Sequence, residues 1–137
     1  MKRIIIFVGG LIALTTMAYA DVCPTVKEIK SQKLAGWKAY DSDDGTPLSK
    51  KRTVAFIKSA DQFILAEWSR RGRQGSAIHC FYRDVNGSDL EAYLTKNNLV
   101  PENNKAWYQV SGAMQCAAGN DMCQFTGIAN QPQLAKR

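Results

Sequence analysis

The chain has 137 residues, 45% of them hydrophobic, and its 18 basic and 12 acidic side chains leave a net charge of +6. That length builds one compact domain around one modest core and excludes a second domain of ordinary size. The basic balance favours partners that carry negative charge.

Lys2 and Arg3 open the chain, a mostly apolar run follows from Ile4 to Met17, and Ala18-Tyr19-Ala20 fits a small-x-small cleavage site before Asp21. The apolar run falls short of the roughly 20 residues a membrane-spanning helix needs. Residues 1–20 are therefore read as a signal peptide cleaved at Ala20–Asp21, and the protein as exported, to the periplasm or beyond it. Removing 20 of 137 residues leaves 117, and losing Lys2 and Arg3 lowers the charge from +6 to +4. The charge is uneven: residues 21–83 hold 12 basic and 7 acidic side chains, residues 84–137 hold 4 and 5. No later segment is long and apolar enough to span a membrane.

After Cys23, PTVKEIKSQK reads as a short helix, with Pro24 in its first turn where a missing N–H costs nothing. Val26 and Ile29 share its apolar face, and Lys27, Glu28 and Lys30 face water. DSDDGTP at 41–47 is a loop of turn-forming residues. It differs from a calcium loop because the twelfth position counted from Asp41 is Arg52 and not a glutamate, and it reads as a solvated turn.

Four β-rich runs follow: TVAFI at 53–57, DQFILAEWS at 61–69, SAIHCFYRDV at 76–85 and SDLEAYLT at 88–95. RRGRQG connects the second run to the third. Asn86-Gly87, a strong hairpin signal, connects the third to the fourth. Asn86-Gly87-Ser88 also matches an N-glycosylation acceptor, although the turn explains those residues without a glycan. NNLVPENN at 97–104 reads as a polar connection, and a last strand is expected around Trp107–Val110. From Gln124 onward the chain reads as a flexible tail, 124–137. The expected fold is α+β: an antiparallel meander of four to five strands with a short N-terminal helix, forming one domain over 21–123.

Four cysteines in a small exported domain favour two disulfides. CAAGNDMC contains a Gly-Asn-Asp turn that lets Cys116 meet Cys123, which leaves Cys23 for Cys80. The wide spacings and the single histidine argue against zinc, and no metal or cofactor is expected.

The stretch SRRGRQGSAIHCFYRD, residues 69–84, places the only histidine beside a cysteine. On a strand, neighbouring side chains point to opposite faces, so His79 and Cys80 cannot approach as a nucleophile and its base must. No hydrolase, metalloprotease or nucleotide-binding signature is present, and a binding role is expected rather than catalysis. With strands 53–57 and 61–69 antiparallel, Lys50, Lys51 and Arg52 emerge at the same end of the sheet as Arg70, Arg71 and Arg73. Six cations beside Trp68 suit phosphate or sulfate groups, because arginine offers a bidentate fork. The expected ligand is an acidic lipid headgroup such as a phosphoinositide, or another polyanion, with nucleic acid disfavoured. The competing readings are three: a basic rim that only keeps the sheet soluble, a host- or envelope-protein binder or enzyme inhibitor using Trp37, Trp107 and Tyr108, and a small envelope hydrolase.

Cys23-Pro24 to Glu28-Ile29, Gly36-Trp37, Ala66-Glu67-Trp68 and Cys80-Phe81-Tyr82-Arg83-Asp84 together resemble a family of small exported bacterial proteins of uncharacterised function. Similar domains occur among type II secretion substrates of intracellular pathogens. The resemblance covers Cys23 to Cys116 and implies a periplasmic or secreted bacterial protein; it carries no catalytic residues across. A fainter likeness is to small β-barrel lysozyme inhibitors of the periplasm. Their Ser-Gly-x-x-Tyr stretch is not matched here, since Ser111-Gly112-Ala113-Met114-Gln115 departs at its last position.

Overall fold

A computed structural model describes residues 9–10, 20–69 and 76–128. The signal peptide expected over 1–20 falls almost wholly outside these residues, as do Arg70, Arg71, Arg73 and the end of the chain from residue 129.

Helix α1 (Val26–Lys30) is short, and its start is fixed by a capping box. The Thr25 hydroxyl accepts from the Glu28 backbone N–H at 3.1 Å, and the Glu28 carboxylate accepts from the Thr25 N–H at 3.2 Å. Pro24 lies just outside this cap rather than in the first turn. Ile29 is fully buried, while Lys27 and Lys30 are exposed.

Strand β1 (Lys38–Asp41) forms just ahead of the expected loop at 41–47 and takes Asp41 from it. Helix α2 (Lys50–Ser59) then replaces the strand expected at 53–57. Thr53, Val54 and Ile57 are β-branched and favour strands when taken alone. Two longer-range features win. Ser49 caps the helix by accepting from the Arg52 N–H at 3.2 Å. The inward residues Thr53, Phe56, Ile57 and Ala60 also recur at helical spacing.

Strands β2 (Gln62–Ser69), β3 (Ala77–Arg83) and β4 (Asp89–Asn97) form where the sequence placed them. Asn86-Gly87 does sit between β3 and β4, but in a longer turn than a two-residue hairpin. Arg83 pairs with Asp89, and the Asp84 carboxylate accepts from the N–H groups of Asn86 and Ser88. The polar connection expected at 97–104 contains strand β5 (Leu99–Pro101). Strands β6 (Tyr108–Val110) and β7 (Ala113–Cys116) form a tight hairpin. Its turn residues Ser111 and Gly112 both have positive φ, +46° and +84°.

The expected tail begins instead with strand β8 (Phe125–Gly127), which pairs with β5. Phe125 is fully buried, and its backbone bonds Asp21, so the two ends of the described domain meet.

The larger sheet has six antiparallel strands in the order β1-β4-β3-β2-β7-β6, more than the four to five expected, and β5–β8 form a second, two-stranded sheet. One row of partners, Ala39–Leu94–Cys80–Ala66–Cys116, faces the core. Both expected disulfides are present, Cys23–Cys80 and Cys116–Cys123. They point to a non-reducing compartment. Among the described residues no helix is long and apolar enough to cross a membrane.

Tyr82 joins the helix layer to the sheet. Its ring meets Phe56 of α2 and Phe63 of β2 edge-on, at 6.0 and 5.8 Å. Its hydroxyl donates to the Pro24 carbonyl at 2.6 Å, and burial pushes its phenol up, well clear of ordinary titration.

Candidate anion-binding surface

The change from strand to helix at 50–59 relocates half of the expected cation cluster. Arg52 pairs with Asp41 at the end of β1. Asp41 lies opposite Ala92, towards the end of the sheet where β2 begins at Gln62. Ser69, after which the arginine run starts, is at the other end of β2, roughly 20 Å away at the rise of a strand. The antiparallel strand pair from which a common rim of Lys50, Lys51, Arg52 and the arginine run was expected is therefore absent. Arg70, Arg71 and Arg73 lie outside the described residues.

Arg52 is also committed to structure. Its hydrogen bond holds the Asp41 carboxyl below the usual carboxylate range, and the backbone N–H groups of Asp43 and Asp44 act in the same direction. Asp44 in turn accepts from the Thr46 N–H and hydroxyl. These carboxylates close a turn, as the sequence implied, and among the described residues no group of three acidic, histidine or cysteine side chains is placed to hold a metal ion.

Lys50 and Lys51 have different company from that expected. Helices α1 and α2 touch, and the Lys30 ammonium donates to the Lys58 carbonyl at their contact. Lys27, Lys30, Lys33, Lys50, Lys51 and Lys58 are all exposed on this layer. Glu28, the one carboxylate within either helix, is occupied by the α1 cap. The ion pairs among the described residues are Arg52–Asp41 and Arg83–Asp89, so none of the six lysines has a carboxylate partner there. Lys51, Val54, Ala55 and Lys58 follow one another at helical spacing along the outer side of α2, and Val54 is 50% exposed. Sequence reading had placed Lys27 and Lys30 in water but had not joined them to Lys50 and Lys51. The signal that joins them is the Ser49 cap, because a helix at 50–59 carries its lysines to the same layer as α1.

The opposite face of the sheet differs in character. His79 and Cys80 do point to opposite sides: Cys80 is in its disulfide, and His79 stacks on Tyr93 at 4.6 Å. One row crosses all six strands on this face, Lys38–Thr95–His79–Glu67–Gln115–Tyr108. The Gln115 amide donates to Glu67 at 2.8 Å. Burial holds His79 below its usual range, with Glu67 opposing.

Of the aromatics expected at a protein-binding surface, Trp107 is buried and Trp37 packs edge-on against Phe125 at 5.9 Å beneath Lys96. Tyr108 is exposed. Trp68 donates its indole N–H to the Leu99 carbonyl at 3.0 Å and walls a cleft between the two sheets.

Compared with protein families, with curated proteins and with solved structures, the chain matches none.

Proposed function

We propose that this is an exported binding protein whose helix layer docks on an anionic surface, most simply the acidic headgroups of a lipid bilayer. Six exposed lysines, five on two touching helices and Lys33 just beyond α1, none with a carboxylate partner among the described residues, carry this reading. A lysine near an anionic bilayer contributes about 1 kcal/mol, and the contributions fall off within a Debye length. Lys50 and Lys58 are about 12 Å apart along α2 at the helical rise, so its lysines meet several headgroups at once. Lys50 and Lys51 keep the role expected for them, Lys27, Lys30, Lys33 and Lys58 join them, and Arg52 serves the fold. The signal peptide pattern, the two disulfides and the resemblance to exported bacterial proteins all fit a role outside the cytoplasm.

Co-sedimentation of the disulfide-bonded protein with neutral, phosphatidylserine and phosphoinositide vesicles across a salt series tests this. Removal of residues 1–20 leaves every described strand and helix intact. Binding is expected to be confined to acidic vesicles, to weaken steeply with salt, and to fall roughly fivefold for each of Lys30, Lys51 and Lys58 changed to Gln. If the triple Gln variant binds like the parent while a variant with Arg70, Arg71 and Arg73 changed to Gln does not, the arginine run is the site and the helix layer is not.

A further inference from the structure

The cleft that Trp68 walls lies on the other side of the molecule's charge balance. It encloses about 400 Å³ between the two sheets and is walled by Trp68, Trp107, Met114, Val100 and Pro101, with Glu102 at its edge. Both indole N–H groups are spent inward: Trp68 donates to Leu99 and Trp107 to the Gln124 carbonyl at 2.8 Å. Those bonds fix the indoles on the cleft wall without offering it a donor. The Asn104 amide oxygen accepts from the Ala106 N–H at 2.9 Å. Among the side chains that line the cleft, the remaining donors are the amides of Asn103 and Asn104, the latter reaching the Met122 carbonyl at 3.5 Å, and the Glu102 carboxylate, with no side-chain partner among the described residues, is the one charge.

A site poor in donors, walled by indoles and carrying one carboxylate selects by chemistry. An anion meets Glu102 and finds little to bind it. A cation with an apolar skin finds π faces, a polarisable methionine sulfur and a balancing charge. We infer that the cleft between the two sheets is a binding site for an alkylated ammonium group, with Trp68, Trp107 and Met114 surrounding the methyl groups and Glu102 supplying the counter-charge. This site is independent of the helix layer and takes a ligand of opposite sign.

The test uses tetramethylammonium and choline as probes of the disulfide-bonded protein, followed by the indole N–H resonances of its three tryptophans. The control is choline's neutral carbon isostere, in which a tert-butyl group replaces the trimethylammonium. Saturable shifts of the Trp68 and Trp107 resonances are expected, with Trp37 unmoved, and the neutral isostere should bind roughly tenfold more weakly. Glu102→Gln keeps the backbone N–H that bonds Gln124, so it should fold normally and weaken choline by a similar factor. Equal binding of choline and its isostere, unchanged affinity in Glu102→Gln, or no shift up to roughly 100 mM probe, the weak end of measurable affinity, overturns the assignment. Trp68→Leu supplies a second variant, in which loss of choline binding with an unchanged folded spectrum is expected and retained affinity counts against the site.

Discussion

The helix layer and the opposite face of the six-stranded sheet are made from neighbouring stretches of one small chain and handle charge in contrasting ways. On the sheet face, Lys38 and Glu91 at its margin aside, the charged or titratable groups have company: Glu67 accepts from Gln115, His79 stacks on Tyr93, and Arg83 pairs with Asp89. On the helix layer six lysines go without carboxylate partners, and the first turn of α2 begins with three cations and no acid. Cations at a helix N-terminus oppose the macrodipole. A layer that gives up stability in this way fits the proposed binding to an external anion. The two layers can be separated experimentally, because each is held by different interactions.

The largest separation comes from the disulfides. Cys23–Cys80 closes a loop with a sequence separation of 57 and fastens the approach to α1 onto the middle of β3, whereas Cys116–Cys123 spans 7. The chain-entropy relation gives about 4 kcal/mol for the first and about 2 for the second. Changing Cys23 and Cys80 together to Ser should therefore lower the urea midpoint about twice as far as changing Cys116 and Cys123. Equal midpoints would mean that the long staple stabilises the fold no more than the short one.

Next in size is the contact between layers at Tyr82. Tyr82→Phe keeps the ring packed on Phe56 and Phe63 but leaves the Pro24 carbonyl without its donor. An orphaned buried acceptor costs about 1–3 kcal/mol. The same change in urea unfolding should leave the slope with denaturant unaltered, since the surface exposed on unfolding is nearly the same.

Much of this arrangement was legible in the sequence, and the parts that were not share a cause. Strands β2, β3 and β4 announce themselves by local composition, and the Cys116–Cys123 turn by its Gly-Asn-Asp. The pairing of Cys23 with Cys80 then follows by elimination. The residues 53–57 misled because Thr53, Val54 and Ile57 carry strand preference locally, while the deciding features, the Ser49 cap and the inward spacing through Ala60, extend beyond the five residues. Strands β5 and β8 have three residues each, too few for a periodic signal, and they exist because Phe125 is buried beside Trp37 by contacts distant in sequence. The error at 53–57 propagated to the site, since the topology inferred from it placed Lys50–Arg52 at the wrong end of the sheet. The Trp68–Trp107 cleft was beyond reach, because it depends on how two sheets meet.

Titration separates the layers by pH. Burial lowers the His79 pKa from 6.5, so between that lowered value and 6.5 the unfolded chain binds more protons than the folded one. Stability must then decline as pH falls below 6.5, and His79→Gln should remove that part of the slope. Asp41 on the helix-layer side is lowered from 3.8 by Arg52, so its contribution is present above 3.8 and is lost only as pH falls below that. Urea titrations of the parent, His79→Gln and Arg52→Gln at successive pH values should show the two losses in separate windows. A single window removed by either variant would mean that the two faces are coupled.

The smallest expected effect bears most directly on the contrast. Lys51 is an exposed cation in the first turn of α2, where the macrodipole favours the opposite sign. Lys51→Glu should stabilise the protein, by about 0.3–1 kcal/mol at low salt, and the gain should shrink as salt rises. Nothing in the fold is lost, because the Ser49 cap and the buried side of α2 are untouched. The same change should weaken binding to acidic vesicles by more than the Gln replacement does, since it adds repulsion to the loss of attraction. Stability and binding would then move in opposite directions on one substitution, the outcome expected of a charge retained for a partner. A variant that gains stability with vesicle binding unchanged would leave Lys51 as a surface charge without a partner and would shift the docking surface towards Lys30 and Lys58.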